Sequence, residues 1–218
     1  MIRGNVLSNS LRILGLNDTV TVDEIRKMYI SKTTQLKFQS IFLLNDDLKR
    51  EFVKYHEAYV ISLREMASVQ SGINPDFYPG DQVFTLLLNQ GIYFLIKENL
   101  LKAGEKLEEA ARIKSNNVIT YIYLGIILMK RKSYYASERY LLKSVDLDPE
   151  NEYGWLFLAA NYLKANQLNK ALHTLDKVRT MAPVDPDLIS EINEINKLII
   201  DEMSKDKKNS FIKKLFDK

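Results

Sequence analysis

The sequence of 218 residues contains no cysteine, two histidines and one tryptophan. Without cysteine, a disulfide framework, a zinc site built on thiolates and a cysteine nucleophile are all excluded, and this absence favours a cytoplasmic protein. The longest apolar run covers residues 121–129, about half of the ~20 residues that a membrane-spanning helix needs. The first residues contain no apolar segment of signal-peptide length. We therefore expect a cytoplasmic protein with no integral membrane segment.

Residues that carry catalysis are scarce and scattered. His56 and His173 lie in different predicted helices, and neither belongs to a metal-binding motif. The eight glycines form no phosphate-binding loop. Acidic pairs such as Glu108 and Glu109 are adjacent in sequence on helix surfaces, where water solvates them. We expect no enzyme activity, no catalytic residues, no cofactor and no metal site.

The net charge of +3 comes from the last residues of the chain. Residues 205–218 hold six lysines and two aspartates, which gives +4 and leaves −1 for the rest. A nucleic-acid-binding surface needs lysines and arginines clustered on the folded body. The charge distribution therefore predicts no nucleic acid among the partners.

A period of 34 residues organises the middle of the chain. Three units follow one another without a gap over residues 84–117, 118–151 and 152–185. Small residues occupy positions 8 and 20 of each unit, and leucine occupies position 24: Gly91, Gly125 and Ala159; Ala103, Ser137 and Ala171; Leu107, Leu141 and Leu175. Small residues let two antiparallel helices approach closely, and the large ones fill the space between them. The columns predict three helix hairpins, which fixes an all-α fold class.

Each predicted hairpin has its turn at the same place in the unit. The turns are expected at residues 97–99, 131–133 and 165–167. Pro149 and Pro183, both at position 32, are expected to end the second helix of their units.

At these positions the stretch resembles the tetratricopeptide repeat (TPR) family, and the second unit is closest to the family pattern. The resemblance covers about half of the chain and implies an α-solenoid of three hairpins. The first helix of each hairpin then lines a concave groove that holds a segment of a partner protein. The residues assigned to this protein-binding groove are Leu88, Asn89, Ile92, Ile122, Tyr123, Ile126, Lys130, Tyr153, Phe157 and Lys164.

The groove residues indicate which kind of segment is held. Family members that clamp acidic chaperone tails use lysine, asparagine and arginine at several of these positions. Isoleucine, tyrosine and phenylalanine predominate here, so an apolar or amphipathic segment of a partner protein is expected instead. The alternative is that the chain fills its own groove, with its N-terminal domain or with residues 205–218.

Residues 8–66 form a separate helical domain in this interpretation. Helices are expected over residues 10–16, after Thr21 and over residues 46–67, and Thr21 with Glu24 forms a capping box. The third helix places Phe52, Tyr55, Tyr59, Val60 and Leu63 on one packed side.

Three segments of this domain resemble the J-domain of DnaJ-type co-chaperones: LRILGL, VTVDEIRKMY and FVKYHEAYVISL. Where that family carries His-Pro-Asp, this chain has Lys37, Phe38 and Gln39. Family members use the tripeptide to stimulate an ATPase chaperone, so this activity is not expected. The basic face of the family's second helix is also thin here. An unrelated three-helix bundle stays an alternative.

The remaining segments complete the predicted order of domains. Residues 67–83 contain Gly72, Pro75, Pro79 and Gly80 and are interpreted as a linker. Residues 186–204 have an apolar stripe that predicts a helix capping the last hairpin, and residues 205–218 form a basic tail. We expect a non-catalytic scaffold or adaptor with protein partners; the alternative is a DnaJ-type co-chaperone acting with an ATPase chaperone.

Overall fold

The computed structural model describes residues 2–36, 46–67 and 80–216, and within them the side chains of 6–36, 46–66 and 81–205. These residues form ten helices, with no strand among them, which confirms the all-α class. The helices are α1 (Ile2–Leu14), α2 (Val22–Gln35), α3 (Asp46–Ala67), α4 (Gly80–Ile96), α5 (Leu100–Ile113), α6 (Val118–Lys130), α7 (Tyr134–Leu147), α8 (Glu152–Lys164), α9 (Leu168–Thr180) and α10 (Pro186–Phe216). The chain divides into two compact units, Met1–Ser115 and Asn116–Lys218.

Helices α1, α2 and α3 pack around one apolar cluster in the first unit, and together they are called the N-terminal body below. The buried members of the cluster are Leu11, Leu14, Ile25, Tyr29, Ala58 and Tyr59. Helix α2 begins with the predicted capping box: the Thr21 N–H donates to the Glu24 carboxylate (2.7 Å), and the Glu24 N–H donates to the Thr21 hydroxyl (3.3 Å). The box satisfies two backbone N–H groups that the first turn of a helix leaves without partners.

Two details of the N-terminal body differ from the sequence prediction. Helix α1 covers Ile2–Leu14 rather than residues 10–16. Gly15 follows it, with a φ of 81°, the left-handed conformation that glycine adopts at no steric cost. Val60 is 46% exposed rather than on the packed side of α3, whereas Phe52 and Tyr59 are buried as expected. The tripeptide position at Lys37, Phe38 and Gln39 lies outside the described residues.

The hairpin α4–α5 belongs to the first compact unit, together with the N-terminal body. Residues 68–79, most of the predicted linker, are not among the described residues. The division of the chain at residues 67–83 therefore stays a prediction.

The helices of each hairpin meet at the small residues that define the repeat. A Cβ atom added to Gly91 or to Gly125 would lie 2.5 Å from the Cγ atom of Leu107 or Leu141 respectively. All three leucines at position 24 are completely buried, as are the small residues at position 20. Ser137 is accommodated there because its hydroxyl donates to the carbonyl of Gly125 (2.8 Å). The helix contacts therefore follow the predicted columns.

The three hairpin turns lie at the predicted residues and share one backbone geometry. Glu98, Lys132 and Asn166, all at position 15, have φ between 56° and 60°. In the second turn the Lys132 N–H donates to the Met129 carbonyl and the Ser133 N–H to the Leu128 carbonyl, both at 2.9 Å. This pattern is the Schellman motif, which satisfies carbonyls at the end of a helix. The repeat thus holds a left-handed residue at one fixed position without glycine.

The second compact unit contains two hairpins, α6–α7 and α8–α9, followed by α10. Four apolar residues of α10 are buried, and the helix packs against α8 and α9: Leu188, Ile192, Ile195 and Ile199. Helix α10 continues to Phe216, so the lysine-rich start of the predicted tail does not end it. Lysine is a good helix former, which explains the continuation. Within the described ranges, none of the helices combines the length and the apolar character that a membrane-spanning segment needs.

Replacing Gly91 with alanine is expected to destabilise the protein by roughly 1–3 kcal/mol, because the added methyl group overlaps Leu107. The matched control is Gly104→Ala in the same hairpin, where a Cβ atom would meet nothing within 4 Å. The control should stabilise by about 0.5–1 kcal/mol, since alanine favours a helix interior over glycine. Urea unfolding followed by circular dichroism measures both; equal effects would show that the close contact is not required.

Replacing Lys132 with glycine is expected to raise the free energy of unfolding by up to about 1 kcal/mol, because its φ of 60° is strained for a residue with a Cβ atom. The neighbouring Arg131, at φ −79°, is the control position. Arg131→Gly should lower stability by about 0.5–1 kcal/mol, since glycine there only adds freedom to the unfolded chain. Thermal unfolding of the two variants distinguishes these effects, and a loss of stability in Lys132→Gly contradicts the explanation.

Candidate functional site

The predicted groove residues lie on the first helix of each hairpin, and the structure places those of the first compact unit in its interior. Leu88, Asn89 and Ile92 on α4 are all buried, and Asn89 and Ile92 have no exposed surface at all. The Asn89 side chain donates a hydrogen bond from Nδ2 to the hydroxyl of Thr33 on α2 (2.9 Å). These three groove residues are therefore closed to a partner in this structure.

Tyr93 on α4 and Lys97, the residue just after its end, contact the N-terminal body on the same side, because they follow Asn89 at helical spacing. The ring of Tyr93 stacks on the ring of His56, with 4.2 Å between centroids. The Tyr93 hydroxyl donates to the Glu57 carboxylate (3.3 Å), and Lys97 forms an ion pair with the same carboxylate (3.1 Å). We call the side of α4 that carries Leu88, Asn89, Ile92 and Tyr93, together with Lys97 just after the helix, the covered face.

His56 is the centre of this contact. Its Nδ1 atom is 2.7 Å from the Tyr29 hydroxyl, and its ring stacks against those of Tyr93 and Phe52. Burial lowers the pKa of His56 from 6.5 to about 4, because the charged imidazolium would lose its hydration. The side chain is therefore neutral at pH 7, and the aromatic contact depends on that neutral form.

Asn89 is incompletely satisfied in this environment. Its Oδ1 atom is buried and has no hydrogen-bond partner among the described residues. A buried polar atom without a partner costs about 1–3 kcal/mol. The covered face thus contains a polar group where a hydrophobic core would hold an apolar one.

In the second compact unit the predicted groove residues divide into buried and accessible sets. Ile122, Tyr123 and Ile126 on α6 are buried, and burial raises the pKa of the Tyr123 hydroxyl. Tyr123 is only 1% exposed, so the interpretation of Tyr123 as a surface contact does not describe this structure. Helix α6 is apolar on all sides, and eight consecutive residues from Thr120 to Ile127 are buried.

The groove residues of α8 are more accessible. Phe157 is half-buried, and Lys164 is exposed, as is Lys130 at the equivalent position of α6. Tyr153 is buried, and its hydroxyl donates to the Asp185 carboxylate (3.2 Å). Burial, followed by the nearby negative charge of Asp185, raises the pKa of Tyr153 well above its usual value. Tyr153 therefore fixes the segment that leads into α10 rather than offering its hydroxyl to a partner.

A second polar connection, between the hairpins of this unit, is not evident from the repeat pattern. The Tyr162 hydroxyl donates to the Glu138 carboxylate (2.8 Å), and Lys170 pairs with the same carboxylate (3.6 Å). Burial, with this hydrogen bond, raises the pKa of Tyr162 to about 12. The three residues come from α8, α7 and α9, and sequence spacing alone does not reveal that they meet.

The structure brings together no catalytic arrangement in the part of the chain that it describes. No group of three or more histidine, aspartate and glutamate side chains there is placed to hold a metal ion. His173, the second histidine, is exposed on α9.

Comparisons with known proteins show the fold. No family model matches the sequence, and no curated protein matches it. Similar solved structures include the TPR domain of Arabidopsis OM64, which is 13% identical, covers 55% of this chain and 98% of that chain, and gives a TM-score of 0.49. The second TPR domain of human RPAP3, determined in complex with an HSP70 peptide, is 14% identical, with 54% and 98% coverage and a TM-score of 0.48.

The TPR2AB domain of yeast Sti1, in its complex with pHSP90, is 16% identical over 84% of this chain and 85% of that chain, with a TM-score of 0.50. This similarity confirms the predicted fold, an all-helical array of TPR-type hairpins. The resemblance of the N-terminal body to a J-domain stays a prediction.

His56 is expected to make stability depend on pH. Because its pKa is near 6.5 when unfolded and about 4 when folded, the unfolded chain binds more protons between these values. Stability therefore falls as the pH decreases from 6.5 to 4, and at pH 5 the loss from this group is about 2 kcal/mol. His56→Gln should remove that part of the pH dependence in urea unfolding at pH 7 and pH 5. His173→Gln is the control and should behave as the wild type; if His56→Gln does too, His56 is not buried as described.

Proposed function

We propose that this chain is a non-catalytic protein-interaction adaptor. Its second compact unit binds an apolar or amphipathic segment of a partner protein along the groove-facing sides of α6 and α8. Arrays of TPR-type hairpins present the first helices of successive hairpins to one groove, and the fold of this chain is of that type. The proposal includes no cofactor, no metal and no nucleic acid.

The observation that carries the proposal is the accessibility of the groove positions in the second unit. Among the residues assigned to the groove, Phe157 is half-buried, and the lysines at position 13 of the second and third repeats, Lys130 and Lys164, are exposed. Two further apolar residues of the same helices, Ile119 on α6 and Leu163 on α8, are also half-buried. Covering the apolar side chains stabilises a complex by roughly 25 cal/mol per Å² of buried surface. The lysines at the rim would bind acidic groups that flank the apolar part of the segment.

The proposed partner segment differs from an acidic chaperone tail. Sti1 is complexed with pHSP90 in the similar structure, but the groove positions here do not provide the set of polar residues expected for a carboxylate clamp. The Asn89 amide could donate a hydrogen bond to a carboxylate, but it is buried and hydrogen-bonded to Thr33. An apolar or amphipathic segment therefore fits the available surface better.

The co-chaperone alternative has weaker support. Lys37 and Gln39 replace the histidine and aspartate of the family tripeptide. On α2, Arg26 is buried, which reduces the exposed basic surface of this helix further. We therefore do not propose stimulation of an ATPase chaperone.

Photocrosslinking in the native cell tests the proposed surface. A benzophenone-bearing phenylalanine replaces Phe157 in one variant and Tyr135 in another; Tyr135 is 79% exposed on α7, the second helix of its hairpin, and serves as the control. We expect a specific crosslinked partner from position 157 and none of that identity from position 135. Mass spectrometry of the crosslinked peptide gives the partner segment, which should be apolar or amphipathic.

Substitution of the same residue completes the test. Phe157→Lys should weaken binding of the purified partner by at least ten-fold, because the charged side chain opposes burial of the apolar segment. Lys132→Glu, at an exposed hairpin turn, should leave the affinity within two-fold of wild type. Unchanged binding by Phe157→Lys, with its helicity intact, means that the groove of the second unit is not the binding surface.

A further inference from the structure

The contact between the N-terminal body and α4 combines apolar packing with several polar and aromatic interactions. Leu86 of α4 packs against the apolar cluster of the N-terminal body. The polar and aromatic part comprises the Asn89–Thr33 hydrogen bond, the Tyr93–His56 stack, and the Glu57 carboxylate shared by Tyr93 and Lys97. Glu57 and Lys97 are about half exposed, so their ion pair is weak in water. Contacts between separable domains are more polar than the interior of one domain, and this contact has a substantial polar part.

The packing at this contact is also incomplete. Asn89 Oδ1 is buried without a hydrogen-bond partner among the described residues. A cleft of about 410 Å³ lies between α3, α4 and α5 beside the contact, and His56, Val60 and Phe94 are among its lining residues. An unsatisfied polar atom and an unfilled cleft both reduce the free energy that holds the two sides together.

Each side has a buried apolar interior formed mainly by its own residues, and Leu86 of α4 adds to that of the N-terminal body. Leu11, Leu14 and Ile25 are buried within the N-terminal body. In the first hairpin, Ala103 and Leu107 are buried, with Leu107 against Gly91. Separation would therefore expose the covered face without removing either interior.

We propose that the N-terminal body is a separable intramolecular occupant of the covered face, which includes the groove positions Leu88, Asn89 and Ile92. The two sides part and close again while both stay folded. A partner reaches the first hairpin only by competing with α2 and α3. This functional consequence rests on the proposed function, whereas the separation itself can be measured without any partner.

The absence of cysteine from the sequence allows a direct measurement in the whole 218-residue chain. Three variants each introduce one thiol at a fully buried position: Ile92→Cys on the covered face, Ala103→Cys inside the first hairpin, and Ser62→Cys inside the N-terminal body. The rate of reaction with N-ethylmaleimide in native buffer reports how often each position opens. Circular dichroism and urea unfolding confirm that all three variants are folded.

If the two sides separate, Ile92→Cys should react at least ten times faster than Ala103→Cys and Ser62→Cys. If the covered face opens only when the hairpin or the N-terminal body unfolds, Ile92→Cys reacts no faster than the quicker of the two controls. That second result overturns the proposal, and it leaves the proposed groove of the second unit untouched.

A pair of substitutions on α2 distinguishes separation from local fraying. Thr33 is fully buried against Asn89, whereas the adjacent Thr34 is exposed. Combined with Ile92→Cys, Thr33→Lys should accelerate the reaction by a further ten-fold or more, because a buried lysine cannot face Asn89. Thr34→Lys adds the same charge to the same helix and should leave the rate within two-fold. Equal rates for the two double variants would contradict the assignment of α2 as part of the occupant.

Discussion

The geometry of every repeat follows from the close approach of the two helices inside each hairpin. Gly91 and Gly125 leave no room for a side chain because a leucine of the opposing helix fills that space. Van der Waals contact at this distance fixes the spacing and rotation of the two helices, since large deviations would open a cavity or cause overlap. The rotation in turn decides which residues of the first helix face away from its partner helix. The groove-facing side is therefore a consequence of the contact at position 8.

The same repeat positions have different environments in the two compact units. Position 6 of the first repeat, in the first compact unit, is Asn89, which bonds to α2. In the second compact unit, position 6 of the second repeat is the buried Tyr123, and position 6 of the third repeat is the half-buried Phe157. Repetition in sequence therefore guarantees equivalent helix geometry but not equivalent access to solvent. Access depends on what else the chain places against each hairpin. This difference concentrates the proposed partner surface on α8 and the adjacent end of α6.

The polar cluster around His56 shows how a folded chain accommodates ionisable groups in a contact between helices. Tyr29 and His56 are both shielded from water, and burial moves their pKa values in opposite directions, each favouring the neutral form. Neutral side chains can stack and share a short hydrogen bond without the desolvation cost of a charge. The charged groups Glu57 and Lys97 lie at the edge of this cluster, where water still reaches them.

Local structure could be predicted from the amino-acid sequence. The three turns, the capping box of Thr21 and Glu24, and the small and large columns of the repeat follow from steric and hydrogen-bonding rules that act over a few residues or one repeat period. Which groove positions other helices cover depends on tertiary contacts. Asn89 and Thr33 are far apart in sequence, as are Tyr93 and His56, and no periodic pattern links them. The burial of Tyr123 and the exposure of Val60 also depend on tertiary contacts, because the accessibility of a side chain is set by the surrounding helices and not by its own helix.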